Sequence, residues 1–267
     1  MAGIPYIADA PAASIPLQQE AADLFARMTV APNTARKALI NETIYRLKQA
    51  GVWANLVTLA VHAAHDEQAA RLCWKNAAKN PTKTGALTFT ADLGYTAGWS
   101  GANYLEYPLT TAGDFGGAAT NTCWFLFAGD YNGSAGVGLI STATTWDTST
   151  TKSILTGVDN AGSGVAGYGV AVGWERLTPV FTNERAVRVI TGKASTSNTT
   201  AIGGARVDTP VSSPSGSPDN LATPRTRDGD IGTHCAFGAM LPAATQAHSD
   251  GLGAIMNDYL YRLGAVA

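Results

Sequence analysis

The hydrophobic spacing of the chain changes at Asn80-Pro81, and this change constrains the fold more than any other feature. From Leu17 up to this point, apolar residues recur at the 3.6-residue period of helices. Proline disfavours the helical conformation in the residue before it, so Pro81 is a natural end to the helical part. After it the apolar segments are short and separated by turn residues, and helical spacing returns only after Pro242. The sequence therefore predicts a helical unit, a β-rich body and a closing helix.

Four segments follow from these changes. Residues 1–16 contain Pro5, Pro11 and Pro16, which exclude a continuous helix and predict an extended arm. Residues 17–80 form the helical unit, which we expect to serve anchoring or oligomerisation. Residues 81–241 form the β body, and residues 242–267 form a C-terminal helix packed on it.

Capping residues mark the first two helices of the helical unit. The first is predicted to end before Pro32, since proline interrupts a helix. The second covers about residues 34–50, with Asn33 or Thr34 as its N-cap and Gly51 placed to end it.

Two more helices are predicted before Pro81. The third follows from the apolar spacing over residues 53–64, and Asp66 can cap the fourth. His62 and His65 would then share one helix face, where a metal could bridge them. A third ligand is not identifiable, so ordinary histidines at a helix end, beside a capping aspartate, are the favoured interpretation.

Seven segments after Pro81 have the composition of strands. They cover residues 87–91, 104–107, 122–128, 137–141, 165–172, 187–191 and 234–240. Residues 123–127 are apolar on both alternations, which predicts an internal strand covered on both faces. The 29 glycines suit short strands joined by tight turns. Residues 209–230 carry four prolines and are predicted to be a surface loop. The pattern indicates a mostly β chain built as a sandwich.

Composition excludes several classes of protein. The chain has 18 Lys and Arg against 20 Asp and Glu, so it has no positive field that could hold a nucleic acid. No apolar run reaches the roughly 18 residues of a membrane span, and the first residues lack the features of a secretory signal. We therefore expect no membrane insertion and no Sec-type export. The widely spaced Cys73, Cys123 and Cys235 predict free buried thiols rather than disulfides or a zinc site.

Stretches at both ends of the chain carry a resemblance to a known family. The N-terminal stretches are Leu24-Phe-Ala-Arg-Met28, Pro32-Asn-Thr-Ala-Arg-Lys-Ala-Leu-Ile40, Leu47-Lys-Gln-Ala-Gly-Val-Trp-Ala54, Ala63-Ala-His-Asp66 and Ala70-Arg-Leu-Cys-Trp-Lys75. The C-terminal ones are Ala236-Phe-Gly-Ala-Met-Leu241 and Asp258-Tyr-Leu-Tyr-Arg-Leu-Gly-Ala265. Between them, residues 89–95 and 103–106 fit the family's first strands. Together they resemble virion-associated proteins of tailed bacteriophages and prophages, in which a helical segment precedes a laminin-G-like, concanavalin A-type domain.

The resemblance implies an antiparallel jelly-roll sandwich of the concanavalin A and laminin-G type, preceded by the helical unit and closed by the C-terminal helix. It implies a structural component of the virion, assembled in the host cytoplasm and placed in the tail, a fibre or a surface appendage. A lectin-like sandwich would attach the particle to a host-surface glycan. The expected partners are other virion proteins and further copies of the chain, with a trimer as the specific expectation. Head or neck decoration without a ligand, and a free carbohydrate-binding module, remain as alternatives.

Two acidic turns are candidate ligand contacts. Asp130, Tyr131 and Asn132 combine a carboxylate, an aromatic ring and an amide, which a stacking or Ca²⁺-assisted sugar site would use. Asp159 belongs to a second such turn. Asp and Asn before Gly are also what any hairpin turn requires, so the same residues have a purely structural interpretation. Nothing else in the sequence indicates Ca²⁺.

Two tryptophans lie in polar, glycine- and threonine-rich surroundings that suggest loops. Trp99 and Trp146 could serve as platforms for sugar rings, or equally as contacts between subunits. Trp53, Trp74 and Trp124 have apolar neighbours and are predicted to belong to the core.

Catalysis is not predicted. The sequence has no GxSxG motif, and His234 and Cys235 are adjacent on a predicted strand, which directs their side chains to opposite faces. The acidic residues of the β body occur singly in turns or at strand ends, whereas glycoside hydrolysis needs a pair flanking the scissile bond. We therefore expect a non-enzymatic protein without a cofactor.

Overall fold

A computed structural model describes residues 15–97 and 103–108, the backbone of the strands between residues 122 and 241, and the C-terminal segment 246–265. The predicted N-terminal arm lies outside the described residues, apart from its last two.

Three helices open the described part of the chain. They are α1 (Gln19–Ala26), α2 (Thr34–Gln49) and the single turn α3 (Val52–Asn55). Asn33 is the N-cap of α2, and its side-chain oxygen accepts a hydrogen bond from the Arg36 amide at 2.8 Å. Gly51 follows α2 with a φ of +69°, a backbone conformation that favours glycine. The predicted limits of α2 are therefore confirmed.

A strand replaces most of the predicted third helix. After α3 the chain forms β1 (Leu59–Val61), whose three residues are all buried. A short apolar run that is covered on all sides has no periodicity to distinguish strand from helix, which explains the wrong prediction. The fourth predicted helix is only a 3₁₀ turn at Ala69–Arg71, and its N-cap is Gln68 rather than Asp66. Asp66 lies two residues earlier, and its Oδ1 accepts from the amides of Gln68 and Ala69.

A six-stranded antiparallel sheet contains β1. The added strands are β6 (Thr122–Ala128), β11 (Ala186–Gly192), β12 (Thr196–Ile202), β13 (Ala205–Val211) and β16 (Phe237–Leu241). The strand order in this sheet is β1-β16-β6-β11-β12-β13. β6 lies between β16 and β11, so the internal position predicted for residues 123–127 is confirmed, and the coverage of both its faces stays a prediction. Residues 73–74 cover the outer edge of β1, where the Trp74 amide donates to the Leu59 carbonyl at 2.7 Å.

The second large sheet has eight strands. They are β2 (Thr82–Thr84), β5 (Tyr104–Tyr107), β7 (Val137–Ser141), β8 (Ile154–Val158), β9 (Ser163–Tyr168), β10 (Glu175–Val180), β14 (Leu221–Thr223) and β15 (Arg225–Thr226). Seven of them follow the order β10-β9-β8-β7-β14-β5-β2, and β15 pairs with β7. A separate hairpin joins β3 (Thr88–Thr90) to β4 (Gly94–Ala97).

Prolines occupy an outer strand of each sheet. Pro210 lies in β13, and Pro179 lies at a register irregularity in β10. Because proline cannot donate a ladder hydrogen bond, it is tolerated at edges and bulges and discourages further pairing there. β10 and β13 also contact each other, so the two sheets meet along this side.

The prediction of one surface loop over residues 209–230 is wrong in part. β13 extends to Val211, and β14 and β15 both fall within this segment. Strands of two or three residues are too short to show an alternating pattern, so prolines dominate the sequence signal there.

The helices share one hydrophobic core with β1. The C-terminal helix α4 (Gln246–Leu263), predicted from its spacing, packs against α2, α3 and β11. Buried residues from both ends of the chain meet there, among them Leu24, Ile44, Leu47, Trp53, Trp74, Leu252, Met256 and Leu260. We call α1 to α4 with this core the helical layer. Among the described residues, no helix combines the length and apolar character needed to cross a bilayer.

Candidate functional site

The predicted ligand-contacting residues all lie outside the described part of the chain. They are Trp99, Asp130, Tyr131, Asn132, Trp146 and Asp159. Their roles stay predictions, as does the core position of Trp124, whose side chain is outside the description. Trp53 and Trp74 are buried as predicted, and Cys73 is a free buried thiol.

The strands that flank these segments are described. Residues 129–136 precede β7 and residues 159–162 follow β8, and the register pairs Val137 with Val158. Both predicted acidic turns therefore connect to the same end of the eight-stranded sheet. Residues 142–153, which include Trp146, join β7 to β8 at the opposite end.

A buried histidine connects the two large sheets. His62 directly follows β1, and its Nδ1 lies 2.6 Å from the Ala70 carbonyl oxygen. Its Nε2 lies 2.7 Å from the hydroxyl of Tyr107, on β5 of the eight-stranded sheet. A carbonyl can only accept, so Nδ1 carries the proton and the Tyr107 hydroxyl donates to Nε2. With the Tyr95 ring, which contacts His62 edge-on, these groups form what we call the His62 junction.

Tyr95 on β4 brings the hairpin into the junction. It is fully buried, and its ring centroid lies 5.7 Å from that of His62. Lys83 of β2 lies over the Tyr95 ring, 6.0 Å from the centroid, and pairs with Glu67 at 2.6 Å. Burial, helped by the Glu67 charge, raises the pKa of Tyr95, and the nearby positive charge of Arg71 opposes this rise.

The His62 environment corrects the prediction of two histidines on one helix face. His62 follows a strand, and burial lowers its pKa to about 4, so it is neutral at pH 7. His65 instead donates through Nε2 to the Val30 carbonyl at 2.8 Å, beside Asp66. Within the described residues, no group of three or more His, Cys, Asp or Glu side chains could hold a metal ion.

The chemistry of the junction is that of a structural connection. It contains a neutral imidazole and two phenols, all of them buried. The carboxylate of Glu67, which lies nearby, is paired with Lys83. Such groups link β1, β4, β5 and the turn at Ala70, and they make the link sensitive to protonation.

An ion pair fixes the β3–β4 hairpin to the helical layer. The Arg36 side chain of α2 is 9% exposed, and it pairs with Asp92 and donates to the Ala63 carbonyl. Asp92 has a φ of +65°, which is uncommon outside glycine, and its amide donates to the Ala64 carbonyl at 2.8 Å. The strained turn is therefore held from both its backbone and its side chain.

Charged side chains also join the two ends of the chain. Glu42 of α2 accepts from Arg262 of α4 at 2.8 Å, and Arg46 pairs with Asp258. Glu42 is only 12% exposed, so its contact with Arg262 is partly shielded from solvent. These pairs fix the register of α4 against α2.

Sequence analysis did not single out Tyr107, Tyr95 or Arg36. Leu105 and Tyr107 alternate with exposed Glu106, which is the signal that would place Tyr107 on the covered face of a strand. The hydrogen-bond partner of the Tyr107 hydroxyl, His62, lies 45 residues away in the sequence, so no local pattern indicates this contact.

No family model matches the chain, and no curated protein sequence is detectably similar to it. Solved structures, in contrast, share its fold. The sialidase of Trypanosoma rangeli aligns with a TM-score of 0.52 at 10% identity, over 84% of this chain and 39% of the sialidase. The chain thus spans about two fifths of the length of that protein.

Two further structures extend this likeness. A botulinum neurotoxin type C structure, from work on cell entry through two ganglioside molecules, aligns with a TM-score of 0.54 at 8% identity, over 80% of this chain and 53% of the toxin chain. The other structure is domain 4 of AbnA, a GH43 extracellular arabinanase from Geobacillus stearothermophilus, in complex with arabinotriose. It aligns with a TM-score of 0.51 at 11% identity, over 74% of this chain and 98% of the domain. At such identities the likeness concerns the fold alone, and the β part of this chain is a two-sheet β-sandwich.

Proposed function

We propose that this chain is a non-catalytic, lectin-like protein that binds a glycan through its sandwich. The observation that carries the proposal is the fold shared with a toxin that interacts with gangliosides and with a domain that holds arabinotriose. Ligands commonly bind in the loops of such scaffolds, because the sheets hold the loops in fixed positions.

The fold favours the loops of the eight-stranded sheet as the binding region. α4 packs against β11, so the helical layer covers part of the six-stranded sheet. The predicted acidic turns at residues 130–133 and 159–162 belong to segments that connect to one end of the other sheet, next to the pair Val137 and Val158. We assign Asp130, Tyr131, Asn132 and Asp159 to one candidate surface, and Trp99 and Trp146 to separate contacts.

The finer proposal places the protein on a tailed-phage virion, with a jelly-roll sandwich of the laminin-G type facing outward. The stretches that resemble phage proteins come from both ends of the chain and meet in the helical layer, and the stretch at residues 236–241 contains β16, which pairs with β1. A single unit built from both ends supports its use as an anchor to other virion proteins or to further copies of the chain.

A glycan array with the full chain tests the binding proposal. We expect binding to a defined glycan class, and we expect Asp130→Ala, Asn132→Ala and Trp146→Ala each to weaken it at least tenfold. Matched controls are Asp23→Ala on α1 and Tyr261→Ala on α4, which change an exposed carboxylate and an exposed ring of the helical layer. Absence of binding across the array, or equal losses in the control variants, would contradict a lectin role.

Particle imaging and light scattering test the virion proposal. Immunogold labelling should place the protein on a tail, fibre or appendage, and size-exclusion chromatography with light scattering should give a homo-oligomer, a trimer in the specific case. Label on the head or neck would support decoration instead. A monomer missing from particles that still binds sugar would support a free carbohydrate-binding module.

Sialidase activity is the competing function, because a sialidase shares the fold. A fluorogenic sialoside should stay intact with the purified chain. Turnover that is abolished by replacing one carboxylate would overturn the non-catalytic proposal.

A further inference from the structure

The His62 junction binds together elements of both sheets. His62 belongs to the β1 segment of the six-stranded sheet, and Tyr107 belongs to β5 of the eight-stranded sheet. Their hydrogen bond is buried, and Nδ1 of the same ring is used by the Ala70 carbonyl. Both ring nitrogens are therefore committed when the imidazole is neutral.

A second proton on this ring disrupts the arrangement. Once Nε2 carries a proton, the Tyr107 hydroxyl can no longer donate to it and must rotate to accept. The positive charge would also lie in a buried site, and burial of a charge without a counter-ion is costly.

The charged groups around the junction do not offset that charge. They are Glu67, Arg71, Lys83, Arg36 and Asp92, and the titratable rings are Tyr95 and Tyr107. Glu67 is paired with Lys83, and Asp92 is paired with Arg36. Arg71 and Lys83 contribute positive charge at Tyr95, the ring that packs against His62.

We propose that the His62 junction is an acid-sensitive connection, and that protonation of His62 releases β2 and β5 from the β1 segment while the helical layer stays folded. β2 and β5 have three and four residues, and β2 is the last strand of its sheet. The short edge strand β2 opens at low free-energy cost and leaves β5 paired with β14 on one side only, so the loss of one buried contact acts there first. α2 is held independently by the core it shares with α4.

Hydrogen exchange of the full chain tests the proposal. Amide protection, corrected for the intrinsic pH dependence of exchange, is compared at pH 7.5 and pH 5 for residues 82–84 and 104–107 and for α2. A pKa near 4 in the closed junction and 6.5 when open predicts a roughly 30-fold loss of protection in β2 and β5 at pH 5. Protection in α2 should be unchanged, and the loss should reverse at pH 7.5.

Two variants separate the junction from general acid effects. His62→Gln supplies an amide donor and acceptor that do not titrate, so it should abolish the acid-induced loss. His65→Gln removes a neighbouring histidine outside the junction and should retain the loss. Equal loss in α2, no loss in β2 and β5, or the same loss in His62→Gln would overturn the proposal.

A measurement on the unmodified chain covers the case in which His62→Gln does not fold. NMR titration of the imidazole carbons should show His62 taking up its proton with the same midpoint as the opening of β5. A midpoint near 6.5 in a junction that remains closed would overturn the proposal.

Discussion

The rings of Trp74 and Tyr259 pack edge to face, with centroids 5.4 Å apart and planes at 85°. Trp74 comes from the segment that covers β1, and Tyr259 comes from α4, so this contact joins the two ends of the chain inside the helical layer. Both side chains are buried, and edge-to-face packing adds to the hydrophobic contribution of two large rings.

Replacing the inner tyrosine of α4 should destabilise the protein strongly. Tyr259→Ala removes a buried ring and leaves a cavity beside Trp74, which we expect to cost about 3 kcal/mol in the free energy of unfolding. Urea denaturation followed by tryptophan fluorescence measures the loss. Tyr261→Ala, two residues along the same helix and 63% exposed, should leave the urea midpoint unchanged.

The pairing of Glu42 with Arg262 should make part of the stability dependent on salt. Glu42→Gln keeps the side-chain shape but loses the charge, and we expect a cost of about 1 kcal/mol at low ionic strength. The difference from the wild type should shrink in part in 0.5 M NaCl, because ions screen the charge of Arg262, whose side chain is 39% exposed, more than that of the shielded Glu42. Thermal melting at both salt concentrations checks this, with Lys37→Gln on the exposed side of α2 as control. A cost that is unaffected by salt would assign the effect to packing.

Asn41 should hold the chain segment before α1 against α2. Its side-chain oxygen accepts from the Gln18 amide at 2.7 Å, and its amide group donates to the Pro16 carbonyl at 3.2 Å. Asn41→Ala should cost about 1–2 kcal/mol and speed chymotrypsin cleavage after the exposed Leu17. Asn41→Asp keeps the acceptor for Gln18 and should show a smaller increase. Equal cleavage rates in all three proteins would show that other contacts hold the segment.

Tyr95 should make the protein sensitive to alkali. Its pKa is raised in the folded state above the ordinary value of 10.0, so the unfolded chain releases this proton first. The contribution of protonated Tyr95 to the free energy of unfolding is complete below pH 10. It is lost as the pH rises above 10, because the unfolded state then binds fewer protons than the folded state. Guanidinium unfolding between pH 9 and 11 should show a downward slope that Tyr95→Phe reduces and Tyr261→Phe does not. An unchanged slope in Tyr95→Phe would assign the alkaline loss to other groups.

Local signals in the sequence predict α2 and α4 well. The cap at Asn33, the glycine after α2 and the spacing in α4 are all set by neighbours within a few residues, and the structure has each of them. The internal strand β6 was also predictable, since its residues are apolar on both faces.

Long-range pairing is what the sequence did not reveal. β1 forms because a partner strand, β16, comes from the far end of the chain, and the spacing of residues 53–64 carries no trace of that partner. The same holds for His62, whose neutral buried state depends on Tyr107 and Ala70. The predicted sugar-contacting residues lie outside the described part of the chain, so their test is experimental.

The pairing of Leu59 with Ala239 has a consequence for synthesis of the protein. The strand and helix that complete the core of α1, α2 and β1 are translated about 180 residues after these elements. Their apolar face stays uncovered while those residues are translated, which invites chaperone binding. Pulse-labelled chains stopped before residue 237 should therefore remain protease-sensitive throughout residues 19–61.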